Sequence, residues 1–90
     1  MSFEWDEEKA GANLEKHGVS FEEAQTVFDD PLYVDFYDPE HSHKEHRYII
    51  LGESRQGRLL LVSYTERGGV IRLISSREAT PAERRDYEED

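Results

Sequence analysis

All eight arginines of this 90-residue chain fall in its second half, although the chain carries a formal charge of −10. Residues 47–80 hold six of them, Arg47, Arg55, Arg58, Arg67, Arg72 and Arg77, against three acids, Glu53, Glu66 and Glu78. Residues 1–46 carry thirteen acids and, as cations, only Lys9, Lys16 and Lys44. A guanidinium grips phosphate through two parallel N–H donors in a planar fork. Arginines gathered inside an acidic protein point to a local anion site, since general adhesion to nucleic acid needs a basic footprint. The competing reading is that they are solvated strand residues paired with the acids of the first half.

Those arginines must be carried by strands. After Pro31 the apolar period becomes two, and Leu32–Tyr37, Arg47–Gly52, Arg58–Thr65 and Val70–Ser76 read as four strands rich in branched and aromatic residues. Residues 54–57 and 67–69 are glycine-bearing hairpin loops, and residues 38–46 form a longer link. Before the strands come two helices. Asp6 caps the first, which runs to about His17 with Gly18 as its left-handed stop, and Ala10, Asn13, Leu14 and His17 share one face. Ser20 and Glu23 form a capping box for the second, Val19 can staple onto Ala24, and Asp29-Asp30-Pro31 ends it. Thr80-Pro81-Ala82-Glu83 opens a last short helix with Tyr87 as its anchor. Phe3-Glu4-Trp5 adds a short edge strand. The order is β-α-α-β-β-β-β-α, an α+β fold in which helices cover one face of an antiparallel sheet.

A two-residue turn at Gly68-Gly69 would set Arg67 opposite Val70, Thr65 opposite Arg72 and Ser63 opposite Ile74. Leu60, Val62, Tyr64, Ile71 and Leu73 then lie on the helix-covered face. Ser63, Thr65, Arg67, Arg72 and Ser76 project from the open one, arginines among hydroxyls. A different turn would bring Tyr64, Glu66 and Arg77 to that face instead.

Ninety residues make a single domain, 1–90, burying roughly 60–65% of the surface that the unfolded chain exposes, so a partner would add stability. There is no cysteine, which fits a reducing compartment and excludes thiolate metal sites. The first residues lack the basic flank and apolar run of a signal peptide. The longest apolar runs, 49–51 and 59–62, are too short to span a bilayer. A cytoplasmic protein without membrane attachment is expected.

The residues resemble the BrnT-type toxins of bacterial type II toxin–antitoxin pairs, small ribonucleases with a RelE-like fold. The likeness runs almost end to end. It includes Phe3-Glu4-Trp5-Asp6 with Lys9, Asn13, Lys16 to Phe21 and Phe28 to Pro31. It continues through Asp38, His41-Ser42, Glu45 with Arg47, Gly52 and Gly57 to Leu60. Tyr64 to Gly68, Ile71 to Ser75, Arg77, Ala79-Thr80, Glu83 to Arg85 and Tyr87 complete it. Ser76 stands where the family pattern has alanine, and the acidity departs from the basic character common among RNA-cleaving toxins.

The resemblance implies metal-independent endonucleolytic cleavage of single-stranded RNA without a cofactor, and growth arrest when the antitoxin is lost. Such cleavage needs a base for the 2′-hydroxyl, cations for the phosphorane and an acid for the departing 5′-oxygen. On that footing Arg72 and Arg77 stabilise the phosphate, Glu66 and His17 move protons, and Arg47 and Arg67 hold the RNA. His17 could equally serve the dipole of its own helix end, and Glu66 could simply pair with Arg67 or Arg72. The implied partner is a BrnA-like antitoxin with a ribbon-helix-helix DNA-binding part, in a hetero-oligomer in which this chain touches no DNA directly. Its helix would cover the open sheet face, where Val70 and Ile74 lie beside Arg67 and Arg72. The alternative is a RelE-like binding module, weak or inactive in catalysis, that acts as co-repressor with that antitoxin.

His41, His43 and His46 follow Asp38 and Glu40 closely enough to raise zinc or nickel binding. The spacing matches no standard structural site and the segment has no rigid element to orient it, so no metal site is assigned.

Overall fold

A computed structural model describes residues 1–41 and 43–89. The chain forms β1 (Ser2–Glu4), α1 (Glu7–His17), α2 (Phe21–Ala24), β2 (Val34–Asp38), β3 (Arg47–Glu53), β4 (Leu59–Arg67), β5 (Val70–Glu78) and α3 (Pro81–Glu88). This is the expected α+β order. The sheet order is β1-β5-β4-β3-β2. The expectation of a purely antiparallel sheet is corrected at one edge: β1 pairs parallel to β5, the rest antiparallel.

Helix ends follow local chemistry. Asp6 accepts from the amides of Glu8 and Lys9, and Gly18, at φ 70°, closes α1. α2 is shorter than its apolar stripe suggested and tightens into a 3-10 turn over Gln25–Asp29. The Thr26 hydroxyl bonds back to the Glu23 carbonyl there, a habit that disfavours a continuing α-helix. The Ser20 hydroxyl accepts from the Glu23 amide, but the reciprocal half of that capping box is absent. The Glu23 carboxylate is buried and instead receives Arg58 and the Ser54 hydroxyl. The Thr80–Glu83 box forms in both directions.

The core joins Val19, Phe21, Ala24 and Val27 to Ile50, Leu60, Val62, Tyr64, Ile71 and Leu73. The five strand residues expected on the covered face lie there. Each fully buried large side chain contributes about 1.5–3 kcal/mol of transfer free energy. Gly52 is demanded by this packing, because a Cβ there would come within 2.9 Å of Val27 Cγ1. Leu14 is 52% exposed and Asn13 takes the buried position on α1 instead. The Asn13 amide donates to the carbonyls of Val19 and Ser76 and accepts from the Ser76 amide.

The turn is the expected two-residue one, with Gly68 and Gly69 at φ 57° and 83°, as a type I′ hairpin requires. Arg67 faces Val70 and Thr65 faces Arg72. The pairing then slips: Tyr64 faces Leu73 but Ser63 faces Ser75, so Ile74 is the extra residue of a β-bulge. Ser63 therefore does not meet Ile74. Past the bulge every side chain changes face, so Ser76, expected on the open face, is buried opposite Val62, and Arg77 comes to the open face opposite Leu61. Asn13, bonded to both backbone groups of Ser76, holds the strand in this displaced register.

Candidate active site

The open face carries a cavity of about 340 Å³ whose walls come from α1, β3, β4, β5 and the turn after β2. His17 enters from the C-terminal turn of α1, Arg47 from the start of β3 and Arg77 from β5, with Ile49, Leu61 and Ile74 as an apolar floor. Three of the six residues singled out in the sequence are thus brought together. Two others stand outside on the same face: Arg72 donates to Glu4 at 2.6 Å, and Arg67 donates twice to Glu45, at 2.8 and 3.0 Å. Glu66 does not join them. It pairs with Ile71 and shares the face of Tyr64, so it is exposed on the opposite side of the sheet from the cavity.

Two cavity residues were missing from the expected set. His41 and Asp38 both line the wall, and His41 Nδ1 lies 2.8 Å from Asp38 Oδ2. A 3-10 turn over Pro39–His41 sets them three residues apart on one side. The signal in the sequence was Asp38 and His41 among the family-like positions, but their segment reads as an unsupported loop. Among the described residues no group of three or more His, Asp or Glu side chains gathers as a metal site. His46 instead meets Tyr37, with its Nδ1 3.2 Å from the phenol oxygen.

Arg77 is fixed before any ligand arrives. Its two terminal nitrogens donate to the two oxygens of Glu83, at 2.8 and 2.9 Å, and one also donates to the Glu78 carbonyl. The Arg77 hydrogen bonds, aided by the Thr80 amide, bring the Glu83 carboxyl down to about 2 and keep it ionised. α3 is thereby tied to the site at its start. Near its end the Tyr87 hydroxyl donates to Asp30, and burial with that bond pushes the phenol up to about 12.

The sequence model described as the ribonuclease toxin BrnT of type II toxin–antitoxin systems matches residues 5–83. The chain belongs to the BrnT family of ribonuclease toxins. The crystal structure of the Brucella abortus ribonuclease toxin BrnT superposes with a TM-score of 0.65 over 89% of this chain and 97% of that one. At 24% identity this likeness speaks for the BrnT fold alone. No curated protein sequence matches the chain. Among the described residues no helix is long and apolar enough to cross a membrane.

Proposed function

We propose that residues 1–90 act as one cytoplasmic domain that cleaves single-stranded RNA, mRNA included, without a metal and arrests growth when its antitoxin is lost. The observation that carries this reading is the cavity that gathers two histidines and two arginines from separate elements. In the reaction the 2′-oxygen attacks the adjacent phosphorus as its proton leaves, the bond to the 5′-oxygen breaks, and that oxygen takes up a proton. The products are a 2′,3′-cyclic phosphate and a 5′-hydroxyl. His41, with Asp38 on Nδ1, presents Nε2 as the base, and His17 across the cavity is the acid. Arg77 and Arg47 meet the charge that grows on the phosphorane. Arg72 and Arg67 hold the neighbouring RNA, and Glu66, on the other face of the sheet, takes no part in the proton transfers.

The antitoxin is a BrnA-like protein with a ribbon-helix-helix DNA-binding part, and the open sheet face is where it blocks the cavity. Purified protein should cleave RNA in excess EDTA with a bell-shaped dependence on pH, and expression without the antitoxin should stop growth. His41→Asn and His17→Asn should each lower the rate on the order of 10²–10⁴-fold. Cleavage that EDTA abolishes, or that survives both substitutions, would reject this assignment.

A further inference from the structure

The cavity does not stand alone. A depression of about 220 Å³ shares His17, Ile74 and Ser75 with it and adds Lys9 and Lys16. On the other side a depression of about 380 Å³ shares His41 and Arg47 and adds Lys44. The three hollows form one groove across the sheet, from α1 to the segment before β3. Every lysine of the chain lines it. Among the described residues none of these lysines is drawn into an ion pair, whereas Arg55, Arg58, Arg67, Arg72, Arg77 and Arg84 each have a carboxylate within 4.0 Å.

We infer that this groove is the path of the RNA strand, with Lys9 and Lys16 holding phosphates on one side of the scissile bond and Lys44 holding one on the other. The inference rests on the ribonuclease reading of the cavity and extends it to flanking subsites. Lysine suits this task because a flexible stem with a point charge follows a phosphate without fixing its orientation, whereas the forks of Arg77 and Arg47 act at the reacting group. The arrangement also accounts for an RNA-binding surface on a chain of charge −10. The three lysines lie along this one track.

The test uses the triple variant Lys9→Gln, Lys16→Gln, Lys44→Gln of the full chain and single-stranded oligoribonucleotides long enough to fill the groove. Binding is followed by fluorescence anisotropy, and cleavage in parallel, between about 50 and about 200 mM salt. Each phosphate contact to a single strand contributes about −0.7 to the slope of log affinity against log salt, so the variant's slope should be shallower by about 2. The loss should appear in KM rather than kcat. An oligonucleotide too short to pass the cavity should bind both proteins alike. An unchanged slope overturns the path, as does a loss confined to kcat. Loss of antitoxin binding with RNA binding intact also overturns it, by assigning the lysines to the protein partner. If the unsubstituted protein binds RNA without cleaving it, the catalytic reading fails while the anisotropy slopes still decide the path.

Discussion

Arg77 is the side chain on which most of the site depends, and its position was only half legible. Its type announced phosphate chemistry, but the preferred register left it off the open face, because alternation cannot foresee a bulge. Glu83 holds the Arg77 guanidinium at the cavity wall through two hydrogen bonds, so the cost of ordering a long side chain is met before substrate binds. Arg77→Ala should lower cleavage on the order of 10²–10³-fold, and Arg77→Lys should recover only part of it, measured as single-turnover rates. The same pair sets an acid limit. The Glu83 carboxyl is depressed from 4.5 to about 2, so its contribution to stability is complete above pH 4.5 and is lost as pH falls toward 2. With Arg77 38% exposed, solvent screening reduces this to about 1 kcal/mol. Urea titrations across that window should show the loss, and Glu83→Gln should flatten it. His41 was passed over for a different reason: the resemblance marked it, but its segment reads as an unsupported loop until the backbone turn sets it against Asp38.

At the scale of elements, punctuation was legible and irregularity was not. Asp6, Gly18, Ser20, Thr80 and the Gly68-Gly69 turn act through local backbone chemistry, which a sequence carries openly. The bulge at Ile74 is held by a distant residue, because Asn13 binds the backbone of Ser76, sixty-three positions away from it, and fixes the slipped pairing. Nothing near Ile74 announces it. The buried Glu23 is similar: its local pattern spelled a capping box, but Arg58 and Ser54 offered its carboxylate stronger partners within the fold. Gly52 shows the packing constraint most directly. Gly52→Ala would set a methyl group 2.9 Å from Val27 Cγ1 and 3.1 Å from Asp30 Oδ2, and should destabilise the protein by about 1–3 kcal/mol in chemical denaturation. Gly11, where a Cβ meets nothing within 4 Å, should accept alanine without loss.

For the molecule as a whole, the layered plan was readable from the switch of period at Pro31, and the direction of β1 was not, since three residues carry no sign of parallel or antiparallel pairing. The two sheet faces do different work: one holds the core and the other holds the groove. In the proposed complex the antitoxin covers the groove face, and its acidic side chains meet the cations that RNA would otherwise use. Hydrogen–deuterium exchange on the toxin–antitoxin complex should show protection across residues 58–76, and protection confined to residues 6–30 would place the antitoxin elsewhere.

Asn13 has one more consequence, for the margin of the sheet. Beyond Arg72, β5 runs past the end of its pairing with β1, and a strand margin of that kind is a template on which a second chain can add its own strand. Asn13 presents an amide, the same donor and acceptor that a neighbouring peptide unit would bring, and spends both on Ser76. One side chain of α1 thus stands in for the strand that β1 is too short to supply, and closes that margin. Its loss would leave the Ser76 amide and carbonyl buried without a partner, at a margin that α1 closes to water.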